Sequence, residues 1–141
     1  MADKKLLTIA STGTISELVS GDTLDIDNKP VKNMQNASFQ QEHDNGNSGT
    51  SDQINWNNSN KQLSTLTGNC TFTFVDPNGP TNMLVRLVQD ATGGRTVTWP
   101  ASVKWPGGTA PTLSTAANAI DIVSFYFDGT NYYGQAGLNF S

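Results

Sequence analysis

The sequence predicts an all-β protein, with a β-sandwich or jelly-roll-like C-terminal domain behind an extended N-terminal arm of short strands. Three observations predict it. Apolar residues alternate with polar ones through Cys70, Phe72 and Phe74, and a long apolar run, alternating in part, fills residues 118–127. Turn clusters separate these runs at regular intervals: Asp76-Pro77-Asn78-Gly79-Pro80, Asp90-Ala91-Thr92-Gly93-Gly94, Pro106-Gly107-Gly108 and Asp128-Gly129-Thr130-Asn131. No segment keeps a helical period for long enough to nucleate a helix; the best candidate, residues 114–118, amounts to one turn.

Three zones follow one another along the 141 residues. In the first, residues 1–31, Leu6, Leu7 and Ile9 begin a strand-like piece, Ile15, Leu18 and Val19 follow a turn, and Leu24 and Ile26 alternate with Asp25 and Asp27 up to Pro30. In the second, residues 32–60, Asn, Gln, Ser and Gly dominate, and Met34, Phe39, Ile54 and Trp56 are the only sizeable apolar residues. That tract has too little apolar surface to offset the entropy of ordering, so neighbouring subunits or a larger assembly are expected to order it. The third, residues 61–141, is dense in strand patterns: 70–75, 83–88, 96–99, 103–105, 118–127 and 132–138. The division into domains is placed at residues 1–53, the attachment arm, and 54–141, the β-domain.

The strands at 83–88 and 120–127 carry bulky residues at odd and even positions alike. One face of each fills a core, and Met83, Val85, Leu87, Ile122 and Phe125 are the candidates for core and subunit packing. The other face requires a second layer or another subunit, because a solvated face would be polar. A homo-oligomer is the expected solution.

Composition narrows the function. Charged residues make up 14% of the chain, against about 25% in ordinary domains. The net charge is −4, and Lys4-Lys5 is the only adjacent basic pair, so no nucleic-acid partner is expected. No apolar run reaches membrane-helix length and none follows Lys4-Lys5 for long enough to form a secretory leader, so neither a membrane nor secretion is expected. The single cysteine, Cys70, lies in a strand pattern and reads as a small buried apolar residue.

The candidate chemistry is sparse. Asp22, Asp25, Asp27 and Asn28 cluster, but no glycine bends the chain within them and no glutamate closes a calcium loop. His43, the only histidine, sits between Glu42 and Asp44 in a polar stretch, which reads as solvated. Asp76, Asp90 and Asp128 occupy turn signals, where aspartate caps backbone amides. Together with Asp121 they show no pairing of an acid with a nucleophile, and no Gly-x-Ser-x-Gly or phosphate loop is present. The expectation is therefore no enzyme, no cofactor and no metal. Trp99, Trp105, Tyr132 and Tyr133 are the candidates for surface recognition, since flat rings with a polar edge suit carbohydrate or protein contact. Core anchoring by the two Trp-Pro pairs is the competing reading.

Residues 63–69, then Leu87-Val88-Gln89-Asp90-Ala91-Thr92-Gly93-Gly94-Arg95-Thr96-Val97-Thr98-Trp99-Pro100, Val103-Lys104-Trp105-Pro106-Gly107-Gly108-Thr109-Ala110-Pro111 and Phe127-Asp128-Gly129-Thr130-Asn131-Tyr132-Tyr133-Gly134 carry a resemblance. They resemble a C-terminal β-domain of tailed-bacteriophage virion proteins: capsid decoration or cement proteins, head fibres and tail fibres. The resemblance covers about residues 54–140 and implies a structural, adhesive domain, often trimeric, with no catalytic residue to carry over. With a short arm ahead of the domain, a decoration protein that stabilises the assembled head is expected, on the capsid exterior and made in the host bacterial cytoplasm. The partner would then be the major capsid protein, with Leu6, Leu7, Ile9, Ile15, Leu18, Leu24, Ile26 and Phe39 as capsid or subunit contacts. The alternative is a short tail-fibre or receptor-binding protein that touches a host surface glycan.

Overall fold

The computed structural model describes residues 41–140. Within them nine strands form two sheets. The strands are β1 (His43–Asn47), β2 (Ser51–Asn55), β3 (Lys61–Leu66), β4 (Cys70–Val75), β5 (Thr81–Gln89), β6 (Val97–Thr98), β7 (Val103–Lys104), β8 (Ile120–Phe127) and β9 (Tyr132–Phe140). The large sheet has the order β1-β3-β5-β8-β9-β7 and the small sheet β2-β4-β6. A single 3-10 turn, Pro106–Gly108, follows β7.

The first six strands alternate between the sheets. β1, β3 and β5 run parallel in one, and β2, β4 and β6 run parallel in the other. A parallel neighbour needs a crossover connection, and here each crossover is itself a strand of the facing sheet. The chain thus winds as a coil of stacked turns, finished by β8, which adds antiparallel to β5, and β9, which adds antiparallel to β8. The all-β class is as expected. A jelly-roll arrangement is not what forms, because that fold is built from antiparallel Greek keys. Short period-two runs between turns look alike in sequence whether the turn reverses the chain within a sheet or carries it to the opposite one.

Stacked turns place corner on corner. A Cβ at Gly68 would stand 2.7 Å from the carbonyl oxygen of Gly49, so the two corners are in backbone contact and only glycine fits. Backbone hydrogen bonds join successive turns at these corners: Ser48 N to Thr65 O at 2.9 Å, Thr71 N to Thr50 O at 3.0 Å, and Trp56 N to Val75 O at 3.1 Å.

The polar tract requires a correction. From residue 43 onward it forms β1 and β2, which pair with β3 and β4 of the same chain. Strand addition to an existing sheet satisfies its backbone without a large apolar face of its own. Side-chain amides complete the seam. Buried Gln62 donates from Nε2 to Asn55 O and Ser59 O, both at 2.8 Å, and its Oε1 accepts from Asn45 Nδ2 at 2.9 Å. Two of the tract's few apolar residues, Ile54 and Trp56, join the core.

The core fills the space between the sheets. The large sheet contributes Leu66, Met83, Val85, Leu87, Val123, Phe125, Phe127 and Tyr132, and the small sheet Ile54, Cys70 and Phe72. Of the candidates for core and subunit packing, Met83, Val85, Leu87 and Phe125 are in the core, whereas Ile122 lies on the outer face of the large sheet and is half-buried. Phe125 is the hub, with ring centroids 5.4 Å from Phe74, 5.7 Å from both Trp56 and Trp99, 6.0 Å from Trp105 and 6.3 Å from Tyr132. Cys70 is buried as read, and burial pushes its thiol above the usual range, which makes it a poor nucleophile.

Candidate functional site: the outer face of the large sheet

The two sheets differ on their outer faces. Across the small sheet the outward residues are Ser51, Gln53, Asn55, Thr71, Thr73, Val75 and Thr98; all but half-buried Val75 are polar, and all but Asn55 and Val75 are exposed. That face is finished by water. The large sheet's outer face is crossed by four rows of paired residues. The first holds Asn82, Tyr126, Tyr133 and Lys104; the second Lys61, Leu84, Ser124 and Gln135. The third holds Asp44, Leu63, Arg86, Ile122 and Gly137; the fourth Asn47, Thr65, Val88, Ile120 and Phe140.

The third and fourth rows make an aliphatic band, with Leu63, Val88, Ile120 and Ile122 half-buried and Phe140 half-exposed. Leu84 borders the band on the second row. One ion pair interrupts it. Arg86 donates from a terminal nitrogen to Glu42 Oε2 at 2.7 Å and from Nε to the same oxygen at 3.0 Å. The pair is partly exposed, which puts its worth at about 0–1 kcal/mol. Its effect is to neutralise the one cation in the band. An apolar band flanked by polar residues is the kind of surface on which a further layer can pack.

The first row has a different character. Tyr126 and Tyr133 are about half exposed and stack at a centroid distance of 6.3 Å and an interplanar angle of 25°. The Tyr133 hydroxyl donates to Asp128 Oδ2 at 3.1 Å. Asp128 also caps its own turn, accepting from Thr130 N and Asn131 N at 2.8 Å each, and these amides hold its carboxyl below the usual range.

Of the four aromatic residues expected to form a recognition surface, only Tyr133 is exposed. Tyr132 is fully buried, and Trp99 and Trp105 pack against the core. Strand alternation separates Tyr132 from Tyr133, since adjacent strand residues point to opposite faces. Trp105 lies flat on β9: a Cβ at Gly134 would stand 2.5 Å from its ring, so glycine makes room for the indole. The core reading of the Trp-Pro pairs is therefore the right one. Tyr126 was missed although it alternates with Phe125 and Phe127, a period that puts it outward. The arm candidates Leu6, Leu7, Ile9, Ile15, Leu18, Leu24, Ile26 and Phe39 lie outside the described residues, as does the Asp22, Asp25, Asp27 cluster.

The acids of the β-domain have structural employment. Asp90 accepts from Thr92 N and Gly93 N and pairs with Arg95 at 2.8 Å, which holds its carboxyl below the usual range, the guanidinium first and the turn amides after it. Buried Asp121 accepts from Ser114 N and Oγ at 2.7 Å each and from Asn139 N at 2.8 Å, which fixes the loop before β8 and the end of β9. His43 meets Asn58 Nδ2 at 3.1 Å. Among the described residues no three potential metal ligands converge.

Asp76 accepts from the Tyr132 hydroxyl at 2.6 Å. Burial first, and this carboxylate second, push the phenol far above its ordinary value. The folded-state value exceeds the unfolded one, so this stabilisation is complete below about pH 10 and is lost as the pH rises beyond it. Tyr132→Phe is expected to cost about 0.5–1.5 kcal/mol at neutral pH. Its urea midpoint should then fall less steeply than the parent's above about pH 10. A parallel fall in both proteins would show that another group controls the alkaline transition.

Residues 48–132 match a family model described as "Putative phage tail fibre C-terminal domain". Neither the curated proteins nor the solved structures compared with this chain give a match. The matched span takes in the coil from the first corner onward, β8 and the start of β9. It covers well over half of the 141 residues, and on that match the chain belongs to the phage tail fibre C-terminal domain family, as a structural component of the virion.

Proposed function

We propose that this chain is a fibre protein of the tailed-phage virion that assembles as a homotrimer through the aliphatic band of the large sheet and acts by binding rather than catalysis. The observation that carries the reading is the contrast between the two outer faces: one is threonine-rich and water-finished, the other aliphatic. Three copies follow from the resemblance to trimeric phage fibres. The Tyr126–Tyr133 pair, beyond the band, is the surface offered to a host glycan, because a ring face stacks on sugar C–H groups while Lys104, Gln135 and Asn82 flank it with hydrogen-bonding groups.

The decoration reading sets the same domain on the head, with the major capsid protein as partner. The family match to a tail fibre domain favours the tail. Gold-labelled antibody on purified particles, with copy number by mass spectrometry, tests the choice. A few copies at tail-fibre positions is the expected result. Hundreds of copies over the capsid would move the protein to the head, and absence from particles would overturn both assignments.

A further inference from the structure

We infer that Asn78 is a site of spontaneous deamidation, selected by the fold from three sequence pairs capable of the same chemistry. Those pairs are Asn45-Gly46, Asn78-Gly79 and Asp128-Gly129. Each places a side-chain carbonyl carbon one residue before a glycine, whose missing Cβ leaves ring closure unhindered. In the reaction the Gly79 backbone nitrogen gives up its proton and attacks Cγ of Asn78. The bond from Cγ to Nδ2 breaks, ammonia leaves, and a five-membered imide forms. Water then adds to one of the two imide carbonyls, and the ring opens to aspartate or isoaspartate. Water is the only co-reactant.

The structure blocks two of the three pairs. Asn45 is half-buried, and its Nδ2 donates to Gln62 Oε1 at 2.9 Å and to Leu63 O at 3.0 Å. The nitrogen that would attack it, Gly46 N, donates to Asp44 Oδ1 at 2.8 Å. Ring closure there requires all three bonds to break. Asp128 presents an ionised carboxylate, a poor electrophile, held by Thr130 N and Asn131 N. Asn78 is exposed on the loop between β4 and β5, and among the described residues neither its amide nor Gly79 N has a hydrogen-bond partner. The space around Gly79 is open: a Cβ there would meet nothing within 4 Å. The product adds a negative charge two residues from Asp76, the acceptor of the buried Tyr132 hydroxyl, and the isoaspartate form lengthens the loop backbone by one methylene.

The test is peptide mapping of the full chain after incubation in mildly alkaline buffer, folded and in concentrated urea, with isoaspartate located by enzymatic methyl labelling. In the folded protein Asn78 is expected to react at least about tenfold faster than Asn45, the scale set by breaking several hydrogen bonds of ordinary net strength. In urea the two rates should converge. Equal rates at Asn45 and Asn78 in the folded protein, prior reaction at Asp128, or an Asn78 that stays intact while the unfolded chain reacts would each overturn the inference. A rate difference that persists unchanged in urea would also overturn it, because the selection would then come from local sequence and not from the fold.

Discussion

Phe125→Ala is expected to lower stability by about 3–5 kcal/mol, the range for removing a buried aromatic side chain. Domains of this size are stable by only about 5–15 kcal/mol, so the variant should be close to unfolding at physiological temperature. The position is severe because Phe125 touches five aromatic neighbours drawn from both sheets: Trp56 and Phe74 from the small sheet and its edge, Tyr132 from β9, and Trp99 and Trp105 from the connections. Those rings are large and held by one another, so they cannot collapse into the space left behind, and the cavity cost is added to the lost transfer energy. Urea denaturation followed by tryptophan fluorescence measures it. A loss within about 0.5 kcal/mol, as for a surface substitution, would show that the two sheets do not depend on this contact.

Gln89→Leu is expected to cost about 3 kcal/mol, although leucine is apolar and similar in size. Buried Gln89 holds together two connections that lack regular structure. Its Nε2 donates to Arg95 O and Ser114 O at 2.9 Å each, and its Oε1 accepts from Arg95 N at 2.9 Å. Leucine would leave three polar partners without a bond, at about 1–3 kcal/mol each and near the low end because water can reach part of the site. The same two connections meet again at Gly93, where a Cβ would stand 2.5 Å from Thr115 O. Gln89→Glu separates the contributions, since it keeps the acceptor and loses both donor bonds. If leucine proves neutral in urea denaturation, the connections are held by the backbone alone, chiefly through Gly94 N to Thr115 O at 2.8 Å.

The alternating β4, the apolar run of β5 and the turn-bounded β8 and β9 were legible in the sequence, because burial writes itself as alternation on one covered face and as a continuous apolar run between turns when both faces are covered. So was the buried character of Cys70. Three features were not. β1, His43–Asn47, has no large apolar residue, and its order rests on pairing with β3 and on the Asn45 to Gln62 contact, neither of which a local pattern records. Gln62 and Gln89 read as surface residues by type, yet both are buried because a backbone that turns between sheets needs side chains to satisfy its carbonyls. The parallel coil was hidden because a corner such as Ser48-Gly49-Thr50 has the composition of a hairpin turn.

The candidate surface was legible in part. That residues 83–88 and 120–127 are apolar on both faces pointed to a second contact layer, and the large sheet's outer face shows the band this requires. The aromatic candidates were misplaced for one reason: Trp99, Trp105 and Tyr132 have the chemistry of recognition residues, but strand phase and the small Gly134 direct them inward. Phase alone would have selected Tyr126 and Tyr133.

Light-scattering mass of the full chain and of Ile122→Asp tests the central claim most directly. The substitution sets a charge in the middle of the aliphatic band while leaving the core face of β8 intact. The account predicts a mass of three chains for the parent and of one chain for the variant, with the β-sheet circular dichroism of the two alike. A parent that remains a single chain at all concentrations, or a variant that assembles as well as the parent, would contradict it.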